Sequence, residues 1–215
     1  MGSAQPKQFL LLGGRPLLMY SIEAFYRFDA RIPITVVLPG DQSGCWEQLC
    51  RKYGFDVPHK LEAGGGTRFG SVQNGLRGLA GSGLVAIHDG VRPLIQPDTI
   101  ARLFAEAAIH SSAIPVISST DSLRWQDDQG NRPIDRSHVR IIQTPQIFDL
   151  DQLREAYLQP YQPSFTDDAS VWEQAGNPVH LAEGHPSNLK ITTPADLTIA
   201  EAMLHPSHPR PEGRD

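Results

Sequence analysis

Six segments of this chain hold residues of the right type and spacing to do chemistry, and most of them suit the handling of phosphate. The first is Gln5-Pro6-Lys7-Gln8-Phe9-Leu10. Pro6 stiffens the approach to Lys7, and a lysine held near a loop meets a phosphate as a compact charge. The bland reading is a solvated lysine. The second is Gly64-Gly65-Gly66-Thr67-Arg68-Phe69-Gly70-Ser71, which leads into a helix. Its glycines permit close backbone approach, and free amides at a helix start favour anions. It equally suits a turn with an ordinary Ser N-cap. It lacks the Gly-Lys-Ser/Thr ending of a Walker loop, and no convincing strand precedes it as a dinucleotide fingerprint requires. The third is His88-Asp89-Gly90-Val91-Arg92-Pro93, directly after a strand, where open α/β sheets place their ligands. Asp89 there suits a ribose hydroxyl or a magnesium ion, and the Arg92 fork suits a phosphate. An Asp–Arg ion pair closing the loop is the alternative.

Asp135-Arg136-Ser137 with Gln143-Thr144-Pro145-Gln146, then Thr166-Asp167-Asp168-Ala169-Ser170, then Asn188-Leu189-Lys190-Ile191-Thr192 are each weak alone. Asp167 and Asp168 read as helix-start acids and Lys190 as an edge-strand lysine. Ser71 lacks a Gly-x-Ser-x-Gly elbow, which argues against a hydrolase triad with His88 and Asp89. The eight histidines show no close metal-ligand spacing and read as structural or surface residues. Cys45 and Cys50 fit neither a zinc site nor a redox pair and read as reduced thiols.

Positioning these segments is the task of an alternating series of strands and helices. Ile34–Leu38, Leu84–Ile87 and Ala113–Ile117 read as buried strands. Helices are expected from Pro16 with Pro in the first turn, over Ser43–Tyr53 and Ser71–Leu79, from a capping Asp98 to Ile109, near Leu150–Tyr157, and over Asp167–Ala175 and Ala195–Leu204. Such alternation predicts an α/β fold with a mainly parallel sheet. Residues 118–140 break the rhythm with turn chemistry at Asp127–Asn131, as an inserted β-hairpin would. Such an arm needs cover for its apolar side, and a dimer partner is the usual one. Residues 1–204 read as one domain, and the tail 205–215 as disordered. A net charge of −5 argues against a nucleic-acid binder. The absence of a long apolar run or a leader-like start predicts a cytoplasmic protein that does not enter membranes.

Taken in order, the segments resemble the 2-C-methyl-D-erythritol 4-phosphate cytidylyltransferase family of isoprenoid precursor synthesis. The match runs from Pro6-Lys7-Gln8-Phe9 through the Gly64–Val72, 88–93, 135–137, 143–146 and 166–170 segments to Asn188–Thr192. The resemblance implies a Rossmann-like nucleotidyltransferase sheet flanked by helices, CTP and a sugar-alcohol phosphate as substrates, magnesium as cofactor, and a homodimer locked by the inserted arm. It implies that Lys7 stabilises the transition state, and that Lys190 and Arg136 position the acceptor phosphate, Arg136 from across the dimer. Thr144, Thr166 and Arg92 would line the acceptor site. Gly65, Gly66, Arg68, Ser71, Asp89 and Gly90 would contact CTP. This suits a reaction whose nucleophile is a phosphate with a second pKa of about 6, already ionised near neutrality. No general base is required, and positioned cations do the work.

The family pattern opens with a strand and an Ala-Ala-Gly-x-Gly-x-Arg-Met loop, and Met1-Gly2 aligns with the end of that loop. The expectation is therefore a natural start upstream of Met1, with impaired folding and poor CTP turnover for the chain from Met1 onward. A ribitol-5-phosphate cytidylyltransferase, sharing the Pro-Lys-Gln and Thr-Pro-Gln segments, is the near alternative. A non-catalytic CTP-binding or dimer-forming protein is the distant one.

Overall fold

Local sequence accounts for most elements in residues 6–204, the part of the chain that this computed structural model describes. The expectations for Met1-Gly2 and for the tail from His205 lie outside it. Lys7–Phe9 form one 3-10 turn that stacks buried Phe9 on Trp46. Strands β1 (Leu11–Leu12) and β2 (Arg15–Pro16) make a hairpin across Gly13 and Gly14, both at positive φ. A two-residue turn of that hand needs such residues. Helix α1 (Leu17–Phe28) begins just after Pro16, which precedes the first turn rather than joining it. Strand β3 (Thr35–Leu38) leads to α2 (Ser43–Tyr53), which stops at left-handed Gly54.

The next strand, β4 (Lys60–Ala63), does precede the glycine-rich segment, contrary to the sequence expectation. Its Lys-Leu-Glu-Ala composition is a weak strand signal, and its pairing with β3 supplies what propensity does not. Helix α3 (Arg68–Arg77) starts earlier than Ser71 because the Thr67 hydroxyl, not Ser71, accepts from the Gly70 amide as the cap. Strand β5 (Leu84–Ile87) precedes α4 (Pro97–His110). Gln96 stands at the N-cap position and Pro97 is the first helical residue, so Asp98 lies in the first turn instead of capping.

Strand β6 (Ser112–Ser118) is followed by the expected hairpin, β7 (Leu123–Asp127) with β8 (Gly130–Ile134), which pairs only with itself. The chain returns through β9 (Arg140–Ile142) and β10 (Gln146–Asp149) to α5 (Leu150–Ala156) and α6 (Asp168–Gln174), then β11 (Leu181–Glu183) and α7 (Pro194–Leu204).

The main sheet runs β11-β6-β10-β5, with β9 also on β6; β3 and β4 pair separately, in parallel. The sheet is mixed rather than mainly parallel. β10 lies antiparallel to both neighbours and β9 antiparallel to β6, while β11 is parallel to β6. Strands β5 and β6, joined through α4, therefore run the same way, and the chain returning from the arm enters between them in the opposite sense. One core cluster packs α3, α5 and α6 on this sheet around Phe148 and Trp172. Another packs α1 and α2 on β3 around Trp46. Among the described residues no helix is long and apolar enough to cross a membrane.

Candidate functional site

Beyond the carboxyl end of β5 the sequence motifs meet. The Asp89 carboxylate takes the Lys190 ammonium at 3.1 Å and the Arg92 guanidinium at 3.3 Å, both on Oδ2. Burial pushes the Asp89 carboxyl up, but these two cations outweigh it and hold it below the usual range. Buried Arg92 also donates to the Asn188 carbonyl at 2.7 Å, and burial lowers its own affinity for the proton. The Asp–Arg ion pair is thus real, and Arg92 uses it to anchor the segment that carries Lys190.

Thr144 completes the joint. Its hydroxyl oxygen accepts from the Asp89 amide at 3.0 Å and lies 3.2 Å from His88 Nδ1. His88 Nε2 lies 3.1 Å from the Arg92 carbonyl. A neutral ring, protonated on Nε2 and accepting on Nδ1, satisfies both contacts. Burial drives the His88 pKa down to about 4, so the ring stays neutral near pH 7. The Asn188 amide donates to the Thr144 carbonyl at 2.8 Å, which ties the last motif to the middle one.

The glycine-rich segment folds onto its own helix. The Gly65 amide donates to Ser71 Oγ at 3.0 Å, and the Ser71 hydroxyl reaches the Thr67 carbonyl at 2.9 Å. A Cβ on Gly65 would lie 2.8 Å from the Gly70 carbonyl carbon, so glycine is required there, whereas Gly66 faces open space. Arg68 reaches from this helix start to Asp168, a residue one hundred positions away and fully buried. Asp168 also accepts from Tyr157 Oη at 2.6 Å. Burial disfavours the Arg68 charge, but Asp168 more than offsets this and raises its pKa; burial and then Asp168 raise that of Tyr157. Gln146 places Asp168: its side-chain oxygen accepts from the amides of Asp168 and Ala169, and its amide donates to Asp167, itself the N-cap of α6.

Arg68, Ser71, His88, Asp89, Gly90 and Lys190 all line one cavity of about 670 Å³, as does Gln8. Of the positions expected from sequence, Arg92 and Thr144 stand directly behind it. Lys7 is exposed one residue before Gln8 and does not line the cavity. Exposed Thr166 lies on the turn before α6, and Arg136 sits on the arm, donating to the Thr120 carbonyl. Neither joins the cluster within this chain. Lys190 lies in an irregular segment rather than on a strand. Sequence reading passed over Tyr157 and Gln146 as positioning groups and took Asp168 only for a helix-start acid; their partners are distant, and no local pattern marks them.

Three cations (Arg68, Arg92 and Lys190) thus face two carboxylates, Asp89 and Asp168, around a cavity with a neutral imidazole. That arrangement attracts a polyanion and offers no free base.

The family model of 2-C-methyl-D-erythritol 4-phosphate cytidylyltransferase matches residues 1–206. The chain is 50% identical over 204 residues to the protein of that name from Bacteroides fragilis, covering 95% of this chain and 93% of the relative. It is 37% identical to the one from Geobacillus kaustophilus, over 95% and 91% of the two chains. Among solved structures, 4-diphosphocytidyl-2C-methyl-D-erythritol synthase from Anaerococcus prevotii superposes with a TM-score of 0.81 at 28% identity, covering 94% and 92%. The 2-C-methyl-D-erythritol 4-phosphate cytidylyltransferase of Thermus thermophilus gives 0.75 at 32% identity, covering 92% and 93%. These similarities and the shared arrangement of the sheet place the chain in the 2-C-methyl-D-erythritol 4-phosphate cytidylyltransferase family.

Proposed function

We propose that this chain transfers CMP from CTP to 2-C-methyl-D-erythritol 4-phosphate, releasing pyrophosphate, at the cavity beyond β5. The observation that carries the reading is the convergence of Arg68, Arg92 and Lys190 on Asp89 and Asp168, beside a histidine held neutral. The acceptor phosphate is its own nucleophile, so the protein must position two anions and stabilise the charge that develops at the α-phosphorus. Lys190, about half exposed at the cavity, is placed to exchange Asp89 for a phosphate oxygen. Arg68 faces the nucleotide and Gly90 and Ser71 border it, while Gly65, tied to Ser71, shapes the turn and Gly66 leaves open space for a close approach. Lys7 adds its charge from the neighbouring turn, and Thr144 and Thr166 border the acceptor.

Magnesium fits this donor set in a limited way. Asp89 is the one carboxylate that lines the cavity, and no group of three or more ligating side chains exists among the described residues. Asp89 would hold the ion together with triphosphate oxygens, where it would offset their charge. We also infer a cytoplasmic, single-domain protein over residues 1–204 that forms a homodimer through the arm at 118–140. Exposed Trp125 on the hairpin and exposed Ile141 and Ile142 beside it support that contact, through which Arg136 would reach the partner's acceptor.

A pyrophosphate-release assay with CTP and either methylerythritol phosphate or ribitol 5-phosphate tests the reading. Release with the first acceptor and little with the second is expected. Lys190→Met should cut the rate about 100-fold or more, while costing only about 1 kcal/mol of stability because Arg92 still faces the half-buried Asp89. CTP binding without release on either acceptor would overturn the catalytic reading and favour a nucleotide-binding protein.

A further inference from the structure

Strand β6 carries a neighbour on each edge near its end. β9 lies antiparallel on one edge, with Ile142 opposite Val116, and β11 lies parallel on the other, with Glu183 opposite the same residue. One backbone bond extends each pairing. The Gln143 amide donates to the Pro115 carbonyl and the Gly184 amide to the Val116 carbonyl, both at 2.8 Å. Gln143 and Gly184 thus stand on opposite sides of β6, and the buried Gln143 side chain crosses the strand between them. It pairs with both backbone groups of His185. Its Nε2 donates to the His185 carbonyl at 3.0 Å, and its Oε1 accepts from the His185 amide at 3.2 Å. Gly184 leaves room for the crossing, since a Cβ there would lie 2.6 Å from Gln143 Oε1 and 3.0 Å from the Val116 carbonyl oxygen.

A side-chain amide presents a donor and an acceptor side by side, as a neighbouring strand does. β11 ends at Glu183, so Gln143 supplies to His185 the two bonds that a further strand pair would give. From there to Ile191 the chain forms neither helix nor strand, and contacts from other elements must fix its course. Gln143 Nε2 also reaches the Asn188 carbonyl at 3.4 Å, the same oxygen that Arg92 holds at 2.7 Å. Beyond Lys190, the Ile191 amide donates to the Val91 carbonyl at 2.9 Å. The Lys190 ammonium itself meets only Asp89, from a half-exposed side chain, and such a pair is weak. The backbone beneath Lys190 therefore sets where its charge arrives.

We propose that Gln143 is the positioning residue for Lys190. It clamps the start of the 185–190 segment across β6 and so delivers the ammonium to the cavity. It does this from the end of β9, the strand by which the chain returns from the arm, so the setting of the arm and the setting of Lys190 share one side chain. Gln143 touches no substrate and acts through Lys190. Its effect on turnover rests on the transfer reaction proposed above; its hold on Lys190 does not.

The test uses the whole chain and two variants. Gln143→Leu keeps the bulk and removes both bonds to His185, and Gly184→Ala keeps Gln143 but drives its amide off His185. Labelling by acetic anhydride is read by mass spectrometry at Lys190, with Lys60, paired to Glu62 on β4, as the internal reference. The ratio of Lys190 to Lys60 labelling should rise about threefold or more in both, the scale of releasing a half-exposed ion pair. An unchanged ratio in Gln143→Leu would overturn the proposal; should that variant fail to fold, the ratio in Gly184→Ala decides in the same way. In the transfer assay, Gln143→Leu should raise the KM for methylerythritol phosphate about tenfold or more and leave that for CTP within about twofold. The rise should vanish in a Lys190→Met background. A lower kcat with both KM values unchanged, or the same rise in the Lys190→Met background, would reduce Gln143 to a structural part and overturn the proposal. Labelling needs neither substrate. A raised labelling ratio in a chain without turnover would sink the transfer reading and leave the hold of Gln143 on Lys190 in place.

Discussion

Replacing Asp168 by Asn isolates the device that holds Arg68. The carboxylate is fully buried and accepts two bonds from the Arg68 guanidinium and one from Tyr157. Asn keeps the shape but removes the charge and turns one acceptor into a donor. Removing one partner of a fully buried ion pair costs about 3–5 kcal/mol, because the other charge is stranded. The Arg68 side chain is 37% exposed, so water recovers part of that loss, and we expect about 2 kcal/mol. With a urea slope of about 2 kcal/mol per molar, the midpoint should fall by about 1 M. Fully buried Trp172, in the same helix as Asp168, gives a fluorescence signal for the melt. Tyr157→Phe removes one hydrogen bond and no charge, and should cost about 1 kcal/mol. The decisive comparison is Asp168→Asn in an Arg68→Met background. With no guanidinium left to strand, the loss should shrink by about 1 kcal/mol or more. An equal loss in both backgrounds would show that Asp168 acts through α6 alone, and the account of Arg68 positioning would be wrong.

Two further predictions concern a residue lining the cavity and the glycine-rich turn beside it. His88 has its pKa lowered from 6.5 to about 4 by burial, so the unfolded chain binds the proton first as pH falls. Its contribution is fully present above about pH 6.5 and is lost towards pH 4; this one group should cost about 2 kcal/mol between pH 7 and pH 5. Urea melts at the two pH values should show this slope, and His88→Gln should flatten it; an unchanged slope would remove His88 as its source. Gly65→Ala should destabilise by about 1–3 kcal/mol in urea melts because its Cβ meets backbone at 2.8 Å, while Gly66→Ala should be nearly neutral.

Much of the architecture was legible along the chain. The apolar runs at 34–38 and 84–87 are strands, and the periodic stretches at 43–53 and 150–156 are helices, because burial on one or both faces imposes those patterns locally. The hairpin was announced by its turn residues. Strands β4 and β10 were not legible. Lys60–Ala63 carries two charges in four residues, and Gln146–Asp149 begins and ends in polar groups, so neither shows a strand pattern until its neighbours are in place. The pairing of β10 also decided that the main sheet is mixed, since no local signal says whether a returning chain enters parallel or antiparallel.

The order of the motifs along the sequence identified the family, and the absence of a nucleophile elbow turned the reading from hydrolysis to phosphate handling. Which side chains work together was settled only by tertiary structure. Arg68 finds Asp168, Asp89 finds Lys190, and Thr144 and Asn188 find each other, across separations of 44 to 101 positions. Helical and strand periodicity arise from contacts within a few residues and are written in the local sequence. The site arises from contacts between elements whose meeting depends on every strand pairing between them, and those pairings belong to the folded chain as a whole.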